Sequence, residues 1–223
     1  MITGWYDQQI GTIENFTGMA ANARTEKSQQ EARLIIGPWS HTWNDLGQKV
    51  GQIDFGPEAN RDYYEIAGQW FARWLKDGIN EVENWPPAQI FVMGSNICKS
   101  ENEWPLARTV YTDCYLCSSG NANSIDGNGT LSSCIPGNEP KDSYIYDPRD
   151  PLMTLYSPEG QQEPHDQRSL NGRFDVLVYV TDPLDLPLEV IGPVEVKIWA
   201  SSSTRDTDFV AKLIDVWPNG FAQ

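Results

Sequence analysis

The sequence has few basic residues and no long apolar run. Lys and Arg together number 16 against 31 Asp and Glu, which gives the 223-residue chain a net charge of −15 at pH 7. Nucleic acids and anionic membrane surfaces are bound through basic surface, so the sequence excludes both as expected partners. No stretch approaches the about 18 apolar residues that a membrane-spanning helix requires. We therefore expect a protein that binds neither nucleic acid nor membrane.

A signal peptide and a complete cysteine metal motif are also lacking. The first six residues contain neither a basic region nor an apolar core, and the sequence leaves the compartment open. Cys114-x-x-Cys117 has the spacing of metal and redox sites, but Cys98 and Cys134 stand alone and both histidines are distant in sequence. We therefore expect inert or loosely paired thiols, no metal site and no cofactor.

The hydrophobic periodicity changes near residue 90, and the part before it indicates mixed α/β structure. Residues 8–22 have helical spacing, and residues 32–37 form a short apolar run typical of a buried parallel strand. Residues 1–3 look like the stub of another strand. Pro57 is expected to open a second helix that ends at Gly78. The apolar face of this helix is expected to comprise Ala67, Trp70, Phe71, Trp74 and Leu75.

After residue 87 the pattern favours strands. Residues 88–93, 174–181, 194–200 and 209–216 have apolar or alternating sequences, and residues 118–143 are rich in turn formers. Several strands with Gly- and Pro-rich turns and no helix favour a β-sandwich. The predicted fold class is therefore α/β plus all-β, with one domain over residues 1–87 and a second over residues 88–223.

Neither predicted domain looks self-sufficient. Two parallel strands before residue 87 are too few for a sheet covered on both faces. The final predicted strand runs into Trp217-Pro-Asn-Gly220, a turn signal, three residues before the sequence stops. We therefore expect a fragment of a longer chain, cut at both ends.

Two residues could carry acid–base chemistry. Asp7 follows the first strand stub, and His41 follows the strand over residues 32–37. Parallel neighbours joined by one crossover end side by side, and ligands of open α/β sheets bind at those carboxyl ends. An acid followed by a histidine matches the last two places of the Ser–acid–His order in α/β-hydrolases. The alternative is that Asp7 only caps a helix and that His41 is a structural or solvated loop residue.

Four aromatic residues flank this expected site. Trp5, Tyr6, Trp39 and Trp43 could wall a pocket for an acyl or leaving group, or they could pack in the core. No Gly-x-Ser-x-Gly occurs in the 223 residues, so the motif that would carry a serine nucleophile is absent from this sequence.

Two acidic motifs in the second part are interpreted as structural. Asp206 and Asp208 could be taken for a metal site, but their place at the start of a predicted strand favours a turn or cap. Asp166 and Arg168 are interpreted as a hydrogen-bond or ion-pair node with no catalytic role.

A set of segments, in order and across almost the whole chain, resembles one family. These segments are Gly4-Trp-Tyr-Asp7, Leu34-Ile-Ile-Gly-Pro-Trp-Ser-His41, Ile53-Asp-Phe-Gly-Pro57, Trp70-Phe-x-x-Trp-Leu-Lys76, Phe91-Val-Met-Gly94, Glu103-Trp-Pro-Leu-Ala107, Tyr146-Asp-Pro-Arg-Asp-Pro151, Asp166-Gln-Arg168 and Asp206-Thr-Asp-Phe-x-Ala-Lys-Leu213. Each is weak alone, but together they are specific. The family is the CocE/NonD hydrolases, the cocaine-esterase-like and X-Pro dipeptidyl-peptidase-like serine hydrolases.

The resemblance implies the C-terminal piece of an α/β-hydrolase domain followed by an incomplete jelly-roll β-sandwich. It also implies Asp7 as the triad acid and His41 as the triad base, with a serine nucleophile and an oxyanion donor on earlier segments. The implied substrates are small-molecule esters, amides or peptides, and self-association into a homo-oligomer is left open. The 223-residue chain alone is expected to be inactive. The alternative is a stand-alone jelly-roll module that binds carbohydrate or protein.

Overall fold

The chain divides into two compact units in a computed structural model that describes residues 1–42, 45–76, 78–155 and 164–223. The first unit holds Met1–Thr109 and Leu155–His165, and the second holds Val110–Thr154 and Asp166–Gln223. The domain boundary between residues 87 and 88 stays a prediction.

The first unit contains the longer helices and strands of the described residues. In chain order these are β1 (Ile2–Tyr6), α1 (Gln9–Asn22), α2 (Glu26–Gln30), β2 (Leu34–Ser40), β3 (Asp45–Leu46), β4 (Lys49–Val50), β5 (Ile53–Asp54), β6 (Arg61–Asp62), α3 (Tyr63–Leu75), β7 (Ala88–Val92) and β8 (Ile97–Glu101). Short 3-10 turns span Pro57–Ala59 and Glu81–Asn84.

A four-stranded sheet in the order β1-β2-β7-β8 organises this unit. β1, β2 and β7 run parallel, and β8 returns antiparallel beside β7. β2 lies inside the sheet, and all seven of its residues are buried, as expected of a parallel strand covered on both faces. The strands predicted over residues 32–37 and 88–93 are thereby confirmed, with β2 extending to Ser40. Among the described residues, the most deeply buried large side chains are those of Phe55, Leu34, Ile36, Ile90, Val82 and Pro38.

Helix α1 confirms the helix predicted over residues 8–22. Phe16 is the buried residue of α1, whereas Ile10 is exposed.

The predicted start of the second long helix, at Pro57, is wrong. Pro57 begins only a 3-10 turn, and α3 begins at Tyr63 because Asp62 caps it. The Asp62 carboxylate accepts hydrogen bonds from the backbone N–H groups of Tyr64 at 2.8 Å and Glu65 at 3.1 Å. These bonds satisfy two of the N–H groups that the first turn of a helix leaves unpaired.

The apolar face predicted for α3 is only partly correct. Trp70 and Trp74 are half-buried, with ring centroids 5.7 Å apart, but Phe71 and Leu75 are exposed. Beyond the last turn, the backbone N–H of Gly78 donates to the carbonyl of Ala72 at 3.1 Å, as expected for a glycine near a helix end.

In the second unit the described residues form little regular structure. β9 (Tyr115–Cys117) and β10 (Thr130–Ser132) pair antiparallel, and Gln167–Leu170 forms a 3-10 turn. Short mixed sheets with few helices in the described parts of the chain are compatible with a β-sandwich.

The strands predicted over residues 174–181, 194–200 and 209–216 are wrong for this structure. The described residues there make only isolated bridges, at Leu177, Val180 and Val216. A ladder requires a neighbouring backbone, and among the described residues none pairs with 194–200. The apolar side chains of Val194 and Trp199 are consequently exposed.

The structural role predicted for Asp166 and Arg168 is confirmed. The Arg168 guanidinium donates to both carboxylate oxygens of Asp166, with its shortest bond at 2.5 Å. The carboxylate also accepts from the backbone N–H of Ala222 at 3.4 Å, and the N–H of Gln167 donates to the Ala222 carbonyl at 2.9 Å. The pair therefore fastens the 3-10 turn to the final residues of the chain.

None of the helices in the described residues combines the length and the apolar character needed to cross a membrane.

Candidate active site

A change of register occurs where β1 and β2 approach their carboxyl ends. Gly4 pairs with Gly37, and the next pair is Tyr6 with Ser40, so β1 advances by two residues while β2 advances by three. Such an irregularity adds a residue to one strand and redirects the side chains that follow it. As a result, the residues that come directly after the two strands lie at the same level of the sheet.

Those two residues are Asp7 and His41, and their side chains meet. The Nδ1 atom of His41 lies 2.5 Å from Oδ1 of Asp7. The same oxygen accepts from the backbone N–H of Gln8 at 2.6 Å, and Oδ2 accepts from the hydroxyl of Thr3 at 3.4 Å. The backbone N–H of Asp7 donates to the carbonyl of Gly4 at 3.1 Å. The carboxylate is therefore held at both oxygens and through its own backbone.

The helix-cap alternative for Asp7 does not describe this geometry. The N-cap residue of α1 is Gln8, whose side chain makes no capping hydrogen bond. The Asp7 carboxylate instead faces the imidazole of His41.

The two partners differ in exposure. The Asp7 side chain is 23% exposed, and that of His41 is 71% exposed. A partly shielded carboxylate makes a stronger charge-assisted hydrogen bond than one surrounded by water. Because Nδ1 faces Asp7, Nε2 is the ring nitrogen left for a reactant, and the exposed ring gives access to it. The arrangement can hold the imidazole in one orientation and one tautomer.

Trp5 and Tyr6, which directly precede Asp7 in the sequence, are half-buried, and each is anchored by its polar atom. The indole N–H of Trp5 donates to the carbonyl of Phe91 at 2.7 Å, and its ring lies 6.4 Å from that of Trp104. The hydroxyl of Tyr6 donates to the sulfur of Met93 at 3.4 Å. Both rings are therefore fixed in orientation, and their predicted role as pocket walls stays a prediction.

Trp39 lies in the core. It is only 3% exposed, and its indole N–H donates to the carbonyl of Ala59 at 2.9 Å. Gly37 makes room for this ring, because a Cβ atom there would lie 2.5 Å from it. Of the two readings of Trp39, the structure favours core packing. Trp43 lies outside the described residues.

Sequence reasoning missed Thr3. A threonine four positions before an acid is no recognised motif, and the intervening residues belong to a strand. Only the end of β1 and the turn that follows it bring the Thr3 hydroxyl to the Asp7 carboxylate.

In the residues that the structure describes, no three or more His, Cys, Asp or Glu side chains come together as a group that could hold a metal ion. All four cysteines are free thiols.

Residues 80–223 match the family described as the X-Pro dipeptidyl-peptidase C-terminal non-catalytic domain. Asp7 and His41 lie before the matched range.

Two curated relatives match almost the whole chain. Cocaine esterase of a Rhodococcus species is 40% identical over 227 residues, which cover 98% of this chain and 38% of the esterase. A candidate serine esterase of Mycobacterium bovis is 26% identical, with coverage of 98% of this chain and 32% of the relative. The chain therefore spans about a third of the length of these relatives.

The fold resembles that in the crystal structure of an aminopeptidase from a marine sediment archaeon, a thaumarchaeote. The TM-score is 0.64 at 22% identity, and the match covers 82% of this chain and 30% of the aminopeptidase. At this identity the likeness concerns the fold alone.

Proposed function

This chain belongs to the CocE/NonD family of X-Pro dipeptidyl-peptidase-like proteins, and on that premise we propose that it is part of a serine hydrolase that cleaves ester or amide bonds. Asp7 and His41 are the acid and the base of a Ser–His–Asp triad. The serine belongs to a segment outside these 223 residues, because no Gly-x-Ser-x-Gly occurs among them.

One observation carries this proposal. The Nδ1 atom of His41 lies 2.5 Å from the carboxylate of Asp7, at the carboxyl ends of neighbouring parallel strands. This is the edge of an open α/β sheet where ligands bind. The names of the relatives support the reaction class, since they are a cocaine esterase and a candidate serine esterase.

The proposal assigns each residue a role that the geometry supports. Nε2 of His41 takes the proton of the serine as the serine oxygen attacks an acyl carbonyl, and then returns a proton to the leaving group. Asp7 keeps the proton of the neutral imidazole on Nδ1 and stabilises the imidazolium that forms. Water then attacks the acyl-enzyme and releases the acid, with His41 again acting as the base.

The proposed architecture follows from the same family membership. Residues 1–87 are the C-terminal part of an α/β-hydrolase domain, and residues 88–223 are an incomplete jelly-roll β-sandwich. The parallel arrangement of β1 and β2 with α1 between them in sequence supports the first part. The match of residues 80–223 to a C-terminal non-catalytic domain supports the second.

The proposed substrates are small-molecule esters, amides or peptides. The 223-residue chain alone is proposed to be inactive.

The decisive experiment uses the longer protein that carries the proposed serine. Asp7→Asn preserves the size of the side chain but not its charge, and turnover should fall about 10⁴-fold, by analogy with other triads. Asp113→Asn, which changes an exposed aspartate elsewhere, is the matched control and should leave turnover unchanged. Near-full activity in the Asp7→Asn protein would show that Asp7 is not the triad acid.

A fluorophosphonate probe separates this proposal from the stand-alone binding module. The probe reacts with activated serines, so the proposal requires labelling of the longer protein and none of the 223-residue chain. The non-catalytic description of the matched domain is the observation that favours a binding role for residues 80–223. No labelling of the longer protein, together with binding to carbohydrate, would support the module instead.

A further inference from the structure

We infer that Thr3 is a positioning residue for Asp7, an inference that rests on the proposed function. Its hydroxyl donates to Oδ2 of Asp7 at 3.4 Å, while Oδ1 is the oxygen that faces His41. Thr3 therefore influences the orientation of His41 through the Asp7 carboxylate.

The contact matters because Thr3 is shielded from water. Thr3 is only 3% exposed, so water has little access to its hydroxyl. A buried hydroxyl without a partner is unfavourable, and the Asp7 carboxylate is the acceptor that the structure gives it. The bond is longer than a typical hydroxyl–oxygen bond, and its contribution is correspondingly modest.

Two of the three contacts of the Asp7 carboxylate are at Oδ1, and the third is at Oδ2. Gln8 N–H and His41 Nδ1 both lie at Oδ1, at 2.6 Å and 2.5 Å. Rotation about the Cβ–Cγ bond of Asp7 would move Oδ1 away from both of these partners. A donor at Oδ2 adds a third restraint on that rotation, so Thr3 helps to keep Oδ1 aimed at the imidazole.

Two variants of the longer protein test this role. Thr3→Val replaces the hydroxyl with a methyl of similar size and suits a buried strand position. We expect kcat to fall about 3- to 10-fold with KM unchanged, which is the range of one ordinary hydrogen bond. Thr3→Ser keeps the hydroxyl and should restore kcat. If Thr3→Val proves too unstable to study, Thr3→Ser against Thr3→Ala compares the same hydroxyl with its loss.

A spectroscopic readout distinguishes positioning from a general loss of structure. The proton on Nδ1 of His41 should give a far-downfield NMR resonance while it is bonded to Asp7. This resonance should broaden or vanish in Thr3→Val and persist in Thr3→Ser. When Asp7 is already Asn, adding Thr3→Val should cause no further loss of kcat, because the two residues act through one contact.

The outcomes separate the two claims. If Asp7→Asn abolishes turnover while Thr3→Val leaves both kcat and the resonance unchanged, the role of Thr3 is overturned and the triad stands. If Asp7→Asn retains near-full turnover, the proposed function itself fails. An additive effect of Thr3→Val on Asp7→Asn would also overturn the positioning role.

Discussion

Gly4 lies so close to the carbonyl group of Trp39 that a Cβ atom at residue 4 would overlap it. This close approach falls at the point where the pairing of β1 with β2 shifts register. The shift is what brings Asp7 level with His41. A glycine at residue 4 is therefore a condition for the candidate site as well as for the sheet.

Gly4→Ala should consequently destabilise the protein. The added methyl meets backbone atoms of Trp39, which cannot move aside as a flexible side chain could. We expect the free energy of unfolding to fall by about 1–3 kcal/mol, the usual cost of overpacking. Urea or thermal denaturation followed by circular dichroism measures it.

Gly11→Ala is the matched control for this substitution. Gly11 lies within α1, and a Cβ atom there would meet nothing within 4 Å. Since alanine favours a helix more than glycine does, stability should stay the same or rise by up to about 1 kcal/mol. Equal losses in the two variants would argue against a special role for the contact between Gly4 and Trp39.

The meeting of Asp7 and His41 could be predicted from the sequence, whereas its fine geometry could not. Two parallel strands joined by a crossover end side by side, and this rule needs only element types and lengths. The register shift depends on how two backbones pack, and no periodicity within one strand encodes it. The contact of Thr3 with Asp7 depends on the turn that follows β1, which no recognised motif encodes, so it too was missed.

The second unit shows that alternation within one segment does not predict a paired strand. Residues 194–200 alternate as a strand does, but alternation describes one strand and says nothing about its partner. No neighbouring backbone pairs with these residues in the described structure, so no ladder forms there.

The start of α3 could not be predicted because the sequence offers two residues that favour a helix start, Pro57 and Asp62. Only the observed hydrogen bonds to the Asp62 carboxylate decide between them.

Asp62→Ala should weaken α3. The substitution removes the acceptor for the backbone N–H groups of Tyr64 and Glu65, and we expect a loss of about 1 kcal/mol in the free energy of unfolding. Gln8→Ala is the control, because Gln8 occupies the N-cap of α1 without a side-chain capping bond. Denaturation curves that shift equally for both variants would contradict the capping role of Asp62.

Arg108→Gln should destabilise the first unit by leaving a shielded carboxylate poorly paired. The Glu101 side chain is 10% exposed and accepts two bonds from Arg108, at 2.6 Å and 2.5 Å. Because the Arg108 side chain is itself 58% exposed, we expect a moderate loss of about 1–2 kcal/mol.

Acid pH should reduce this penalty. The hydrogen bonds from Arg108 hold the pKa of Glu101 below its usual value, so the pair stabilises the protein above that value and less as Glu101 becomes protonated. Arg149→Gln, in an exposed pair with Asp147, should leave the free energy of unfolding nearly unchanged. A penalty for Arg108→Gln that is as small as that for Arg149→Gln would show that Glu101 does not need its partner.

Asp166 should titrate far below an ordinary aspartate. Hydrogen bonds from Arg168 lower its pKa from 3.8 to about 2. Because the pKa is lower in the folded protein, this carboxylate adds stability above about pH 3.8 and loses that contribution as the pH falls towards 2. NMR titration of the side-chain carboxyl carbon measures the pKa directly. Arg168→Gln should return it towards 3.8, whereas Arg149→Gln should leave it unchanged. A wild-type Asp166 that titrates near 3.8 would mean that the ion pair holding the 3-10 turn to the end of the chain does not persist in solution.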